Sequence, residues 1–320
     1  MQTLAMLLVI RNEAEMLAVN LAYHRRLGVQ HTYVYLDRCT DDSERIARSF
    51  DAVTVILRDR QPDEHYMSAY QTKIMDDALQ LARADGYTWL LHVDADEFAY
   101  GSDRPYVFRE VAVRFGADVT RTGSLPRMLS TIPANVEQVI LRPKEAVPVR
   151  GRTEQPFYET KHYQTRGTLS RSMLNPTTGE IHEIDRWLGH NKGKSIIRTR
   201  GDVVASSAHR WRRRDEKPIV SMQRGFHFHF VVTSASAWLS KYRKFAEYPA
   251  HWEKGTSVSF PKQAWKEASV QMSASEAEVY FQRWIALPYW RVLLSMVLCR
   301  TTRETLLERV LAGAETADDA

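Results

Sequence analysis

The first hundred residues alternate between short apolar runs and helix-period segments, and this alternation restricts the possible folds more than any other feature. Leu4 to Ile10 is a continuous apolar run, as expected of a strand buried on both faces. After the polar break Arg11-Asn12, residues Ala14, Leu17, Leu21 and Leu27 recur at roughly helical spacing, and Gly28 is placed to stop that helix. His31 to Leu36 reads as a second strand, followed by a turn from Asp37 to Asp42 in which Thr40 or Asp41 can cap a short helix from Ser43. Val53 to Leu57 is a third strand and residues 58–67 a polar loop. Tyr70, Ile74, Ala78 and Leu81 then mark a helix face closed by Gly86, and Trp89 to Val93 is a fourth strand. The order β-α-β-α-β-α-β predicts an α/β fold with a mainly parallel sheet and right-handed crossovers. Ligands of such sheets bind beyond the C-terminal strand ends. Three polar clusters stand there, Arg11-Asn12-Glu13, Asp37 to Asp42 and Asp94 to Glu97, so one crevice can gather residues far apart in the chain.

Beyond residue 100 the pattern weakens. Residues 116–190 are rich in Gly, Pro, Thr and charge, and read as loops and short strands such as Val139 to Leu141. Ser195 to Arg198 and Phe226 to Val232 read as further strands, and the character is helical from Ser234 to Arg309, with residues 312–320 a frayed tail. We therefore expect a catalytic domain over 1–245, with a ligand-binding half at 1–100 and an acceptor half at 101–245, and a helical extension over 246–320.

The strongest chemical signal is Asp94-Ala95-Asp96-Glu97, delivered by the apolar strand that begins at Trp89. Three clustered carboxylates raise one another's pKa unless a positive charge sits among them. A divalent cation meets that need, and oxygen ligands suit Mg²⁺ or Mn²⁺, which also bind phosphates. The chemistry served is departure of a diphosphate, whose growing charge a metal stabilises. Asp96 is assigned direct metal contact, Asp94 contact through water or with a ribose, and Glu97 an orienting role. An Asp-x-Asp can also be a mere capped turn. Its place at the end of a fourth buried strand, with Glu97 adjacent, favours the chemical reading. Phosphatases with Asp-x-Asp open their domain with the motif and place Thr or Val two residues on, where this chain has three earlier strands and Phe98.

Net charge is +5, and Arg198, Arg200, Arg210, Arg212, Arg213 and Arg214 supply a local excess. That stretch suits a solvated surface, a diphosphate-facing wall, an anionic acceptor or anionic lipid. No nucleic-acid-binding motif is present, so a nucleic-acid partner is not expected. Two cysteines, Cys39 and Cys299, suggest no disulfide framework, and the start Met1-Gln2-Thr3 has no basic leader. No run reaches the roughly 18 apolar residues of a spanning helix. A cytoplasmic protein is expected, possible peripheral contact with the inner face of the membrane being offered by the apolar segment Leu287 to Leu298.

Arg11-Asn12-Glu13-Ala14 through Tyr23-His24, Leu27-Gly28-Val29 and His31, with Thr40-Asp41-Asp42-Ser43 and Trp89 through Phe98, resembles glycosyltransferase family 92 and its bacterial, family 2-like relatives. Lys194-Ser195-Ile196-Ile197-Arg198, His209, His229-Phe230, Ser234 and Lys241 echo the same pattern, which departs at Phe115-Gly116 and Thr233. The resemblance implies a GT-A fold, Rossmann-like in its donor half, a nucleotide-sugar donor, Mn²⁺ or Mg²⁺, and inversion at the anomeric carbon. It places the nucleotide at Arg11 and Glu13 after the first strand, with Asp37 reading the base edge. Each also has a plainer reading, Glu13 as a helix cap and Asp37 as a turn residue. Lys73 and Arg210 are candidates for the donor phosphates, Lys73 otherwise being a solvated lysine. His209 is a candidate late metal ligand. His227 and His229 alternate along one strand and share a face, where they can bind metal or line the acceptor cleft. His24 lies on the apolar stripe of its helix and reads as a core histidine. An inverting transfer needs a base, for which Glu183 or Asp185 is favoured because Trp187 nearby can stack on a sugar; Glu159 and Glu180 are alternatives. The acceptor is a glycan, a lipid-linked glycan or another hydroxyl compound. Competing functions are a nucleotidyltransferase, disfavoured by the acidic, glycine-free Arg11-to-Glu15 segment, and a non-catalytic glycan-binding module.

Overall fold

Four parallel strands form one wing of the central sheet in the order β3 (Val53–Leu57), β2 (His31–Leu36), β1 (Leu4–Ile10), β4 (Trp89–His92). The computed structural model describes residues 2–61, 64, 67–102, 123–152, 157–165, 171–184, 192–247, 251–253, 256–257, 262–298 and 300–313. Asp185, Trp187, Phe115-Gly116, Cys299 and the end of the tail lie outside the described residues. The continuous apolar run of β1 has the expected cause, because successive side chains point to opposite faces and both faces are covered. Leu4, Met6, Leu8 and Ile10 pack with Leu17, Leu21 and Tyr23 of helix α1 (Ala14–Arg26). Ala5 and Leu7 pack with Tyr70, Ile74 and Ala78 of helix α3 (Met67–Ala84). Between them α2 (Ser43–Arg48) follows β2. Gly28 and Gly86 stand in the left-handed region just past α1 and α3, with φ of 92° and 79°, which glycine adopts without a Cβ penalty. Asp41, rather than capping one helix, accepts the backbone N–H groups of both Ala14 (3.0 Å) and Ser43 (3.0 Å) and so ties two helix starts together.

The sheet continues through β5 (Glu97–Tyr100), β6 (Gln138–Ala146) and β7 (His162–Gln164), with α4 (Leu125–Ser130) ahead of β6. A separate hairpin, β8 (Arg171–Leu174) with β9 (Ile181–Ile184), comes next. It is followed by β10 (Lys194–Arg198), the pair β11 (Val203–Ser207) and β12 (Arg210–Arg213), and β13 (Ser221–His229). β10 runs antiparallel between β4 and β6, and β13 runs parallel to β6 and antiparallel to β5. Two reversals restore direction, so β6 and β13 point the same way as β1, β2 and β4. The C-terminal ends of those five strands therefore share one edge, as do the first residues of β5, β7 and β10. This polarity assembles the site.

After 245 the chain is helical in large part but not throughout. Helix α5 (Ala235–Ala246) is capped by Ser234, whose hydroxyl accepts the Ala237 N–H at 3.1 Å. It packs through Trp238 and Tyr242 on α6 (Lys262–Gln271), α7 (Ala274–Tyr280) and the π-turn Phe281–Ile285. Short strands β14 (His251–Glu253) and β15 (Thr256–Ser257) interrupt the helices. After α8 (Tyr289–Val297), the β-branched pair Thr301-Thr302 opens β16 (Thr301–Arg303), which adds to the edge of β7. Helix α9 (Leu306–Leu311) then buries Leu306, Leu307 and Val310 in the core that contains α1. Helical periodicity alone gave no sign of that return.

Candidate active site

The turn Val93 to Asp96 leaves β4 at the shared edge, and the chain re-enters the sheet as β5 at Glu97. Glu97 is fully buried; its Oε2 accepts the Asp94 N–H at 2.9 Å, which fixes the turn. Lys194, the first residue of β10, is also fully buried and donates to Asp94 Oδ2 at 2.8 Å, with Glu97 Oε2 at 3.3 Å. Burial alone would neutralise all three groups. It opposes charge on Asp94 and Glu97, but Lys194 outweighs it and holds Asp94 below, and Glu97 well below, the usual carboxylate range. The two anions in turn push the Lys194 ammonium up. Gly193 makes this possible: its φ is +70°, and a Cβ there would collide with the Leu141 carbonyl oxygen.

Helix α5 supplies two more cations at i, i+3 spacing, on one face. Lys241 donates to Asp96 Oδ2 at 2.5 Å and to the Val231 carbonyl at 3.0 Å. Burial opposes the Lys241 charge, and Asp96 overcomes it, raising the pKa. Lys244 donates to Glu13 Oε1 at 2.5 Å and to the Asn12 carbonyl at 2.9 Å. Glu13 is nonetheless shifted upward, because its burial and the nearby Asp96 charge outweigh Lys244. Four carboxylates, Glu13, Asp94, Asp96 and Glu97, thus meet three ammonium groups, leaving one negative charge among these seven side chains. For Asp94 and Glu97 the chain brings its own counter-charge, Lys194, from about 100 positions further on.

The histidines divide between the two sides of this cluster. His229 Nε2 lies 3.8 Å from Asp96 Oδ2, and His227 Nε2 lies 3.4 Å from Glu97 Oε1. Glu97, His227 and His229, all buried, offer ligand atoms within 4.8 Å of one another. His209 stands on the Lys194 side, its Nδ1 3.1 Å from the Gly193 carbonyl, and the imidazole facing Asp96 is His229. Burial, with Lys194 second, lowers the His209 pKa to about 3; burial also lowers His229 to about 4, so both rings are neutral near pH 7. A divalent ion holds its ligands at about 2.1 Å, which lets two of them lie roughly 3–4 Å apart. The Asp96–His229 separation fits that requirement; Asp94 is paired with Lys194 and Asp96 with Lys241, so a cation would share Asp96 with Lys241 or take its place.

Several expected donor residues are committed elsewhere. Asp37 is buried among arginines: Arg60 donates to it at 3.1 Å, Arg38 at 3.2 Å, and Arg11 lies 3.7 Å away. A guanidinium nitrogen of Arg11 also bonds Glu247. Arg210 spends its guanidinium on the carbonyls of His209 (2.7 Å) and Lys192, clasping the start of β10 rather than facing the crevice. Lys73 is half exposed and pairs with Glu64 at 3.0 Å. Glu183 is exposed on the β8–β9 hairpin, where it accepts the Ser172 hydroxyl at 2.5 Å. His24 is a core histidine, as expected, accepting the Ala99 N–H at Nε2 (3.0 Å) and meeting Asn20 at Nδ1.

Residues that sequence reasoning gave no role are Lys194, Lys241, Lys244 and Glu145. A signal existed for the first, since a lysine leading the buried strand Lys-Ser-Ile-Ile-Arg requires an anionic partner. Glu145 is buried and sits opposite His229 in the β6–β13 register. Beside the cluster lies a cleft of about 970 Å³, bounded by Asn12, Glu15, Ser234, Ser240, Arg243 and Lys244.

The chain is similar to two glycosyltransferase-like proteins of Arabidopsis thaliana, 25% identical over 219 residues and 21% over 225. The matches take in 59% and 61% of this chain but only 44% and 40% of those relatives, so the chain spans less than half of their length. No family model matches. Among solved structures, glucosyl-3-phosphoglycerate synthase from Mycobacterium tuberculosis, in complex with Mn²⁺, uridine diphosphate and glucosyl-3-phosphoglycerate, shows 15% identity. It has a TM-score of 0.26, over 45% of this chain and 44% of that one. 4-Diphosphocytidyl-2C-methyl-D-erythritol synthase shows 14% identity and a TM-score of 0.30, over 62% and 76%. A mycobacterial protein shows 15% and 0.34, over 77% and 73%.

Proposed function

We propose that this chain is a glycosyltransferase of GT-A type that moves a sugar from a nucleotide-sugar to a hydroxyl acceptor, with inversion and with Mn²⁺ or Mg²⁺. The observation that carries the reading is the Asp94-Ala95-Asp96 turn at the edge where β1, β2 and β4 end, its Asp94 paired with Lys194, its Asp96 paired with Lys241 and facing His229. The similarity to glycosyltransferase-like relatives supports it.

Asp96 and His229 would hold the cation, with Glu97 and His227 behind them. A bound Mn²⁺ or Mg²⁺ supplies Lewis-acid stabilisation of the departing diphosphate. Lys241 and Lys244 add fixed positive charge on the same side, where low dielectric makes it count for more than in water. Glu97 positions the Asp94 backbone. Glu145 takes the place expected of Glu183 as the base for the acceptor hydroxyl, being buried at the shared edge beside His229, whereas Glu183 stands on a separate hairpin.

Domain boundaries follow the same reading: residues 1–245 carry the donor site and end with α5, and the C-terminal segment braces it by packing α6 and α7 on α5. Among the described residues no helix is long and apolar enough to cross a membrane. Helix α8 exposes Trp290, Leu293, Leu294 and Val297, an apolar face that supports peripheral contact with the inner face of a membrane and a lipid-linked acceptor. The decisive experiment is a thermal-shift panel of nucleoside diphosphates with and without Mn²⁺. A saturable Mn²⁺-dependent stabilisation by one of them, absent in Asp96→Asn, is expected. No stabilisation by any of them would overturn the reading.

A further inference from the structure

The same sheet edge carries a second, basic recess. A cavity of about 280 Å³ is lined by Arg152, Glu159, Lys161, His162, Tyr289 and Arg303, among others. Its basic side chains come from three places far apart in sequence. His162 opens β7, Arg303 closes β16 directly opposite it in register, and Arg152 follows the end of β6. The Tyr289 ring gathers two of them: the Arg152 guanidinium lies 4.9 Å from its centroid, and the His162 ring meets it edge-on at 5.9 Å. Lys161 has a carboxylate partner, Glu308, at 3.4 Å. Among the described residues neither Arg152 nor Arg303 has one; Glu159 is the only carboxylate lining the recess. The two guanidinium groups around one hollow repel one another, and an incoming anion relieves that repulsion. Burial, together with Arg303 and Arg152, lowers the pKa of His162, which marks the same positive field.

The recess is close to the reacting centre. Ala146, which lines it, follows Glu145, and Val232 and Thr233, which also line it, come three and four residues after His229. Neighbouring strands lie about 4.8 Å apart. From β13 through β6 to β7 and β16, His162 and Arg303 stand roughly 10–15 Å from His229 along the edge. Phe157 and Thr233 border both this recess and the large cleft, so the two hollows adjoin.

We propose that this recess binds an anionic group of the acceptor, a phosphate or carboxylate, with Arg152 and Arg303 as its guanidinium ligands. The identification of that group as the acceptor's rests on the donor-site reading of the neighbouring crevice; binding of the anion does not. Such a group anchors a substrate whose hydroxyl lies roughly 10–15 Å away, at Glu145 and His229. Guanidinium groups suit it because they meet phosphate and carboxylate with two parallel donors.

The test uses the full chain and inorganic phosphate, titrated in a thermal-shift assay against chloride at matched ionic strength. Wild type and Asp96→Asn are expected to show the same saturable stabilisation, and the Arg152→Gln/Arg303→Gln double variant at least a tenfold weaker one. Both guanidinium groups are exposed, so the double variant should fold; single Arg→Lys variants, which keep the charge, should bind phosphate with intermediate affinity. A second arm measures co-sedimentation with phosphatidylcholine vesicles containing phosphatidic acid. Dependence on the two arginines there assigns the anion to a lipid headgroup, and dependence only in solution assigns it to a soluble acceptor. The proposal is overturned if phosphate acts no differently from chloride, or if the double variant responds like wild type in both arms. Phosphate binding that persists while no nucleoside diphosphate binds would instead overturn the donor-site reading alone.

Discussion

Replacing Lys194 by methionine keeps most of the buried volume and removes one charge. Two carboxylates then lose their nearest cation, at 2.8 Å from Asp94 and 3.3 Å from Glu97. Breaking a buried ion pair by removing one partner costs about 3–5 kcal/mol, because the remaining charge stays desolvated. Asp94 keeps 35% of its side-chain surface and can regain water, whereas Glu97 keeps none, so the expected loss lies near the lower end, about 3 kcal/mol. Against a total stability of about 5–15 kcal/mol the variant still folds. Urea unfolding near neutral pH should show the midpoint falling by roughly 1 M. The pH dependence supplies an independent check. In the wild type both carboxylates are depressed, so their stabilising contribution is present above their unfolded values near 4 and is lost as pH falls through the lower folded values. In the variant burial loses its largest opponent, with His227 and His229 still favouring the charged Glu97 and His92 the charged Asp94, so both pKa values rise and protonation in mild acid removes part of the penalty. The gap between the two proteins should therefore narrow between neutral pH and about pH 5. A loss under about 1 kcal/mol, or a gap that does not change with pH, would refute the account of Lys194 as the internal counter-ion.

Three further outcomes are expected. His229→Gln should abolish the Mn²⁺-dependent part of nucleoside diphosphate stabilisation while His209→Gln preserves it, read by the same melting assay; the reverse pattern would restore His209 as the ligand. Glu145→Gln should lower turnover by about 10²–10⁴ with nucleoside diphosphate affinity unchanged, and a normal rate would remove Glu145 as the base. Burial holds His24 neutral with its pKa down at about 4, below the unfolded value of 6.5, so wild-type stability should fall as pH drops between those values. The effect is at most about 3 kcal/mol, measured by urea unfolding across that range, and His24→Gln should flatten this part of the profile.

The N-terminal hundred residues were legible because their determinants are local. A strand covered on both faces must be apolar throughout, so Leu4 to Ile10 announces its burial, and the helix stops at Gly28 and Gly86 follow from backbone sterics at single residues. Strand alternation then implies which ends collect ligands, and it places Asp94 to Glu97 correctly without any partner being known. Asp37 and Arg210 show where this logic stops. Their positions suited a ligand, yet Arg60 and Arg38 saturate the first, and backbone carbonyls occupy the second.

The charge balance of the site was legible only in part. Clustered carboxylates require a positive charge, and that requirement can be read from Asp94-Ala95-Asp96-Glu97 alone. Whether a metal or a lysine meets it depends on registers between β4, β10, β6 and β13, set by packing across residues more than a hundred positions apart. Two antiparallel reversals bring the start of β10, and with it Lys194, to the edge where β4 ends, and helix α5 lays Lys241 on Asp96. The same registers set Arg303 against His162 and create the basic recess, with no local pattern to announce it. Periodicity records which face of an element is buried; which elements then meet is decided by the summed packing of the whole sheet, and only the tertiary structure contains that sum.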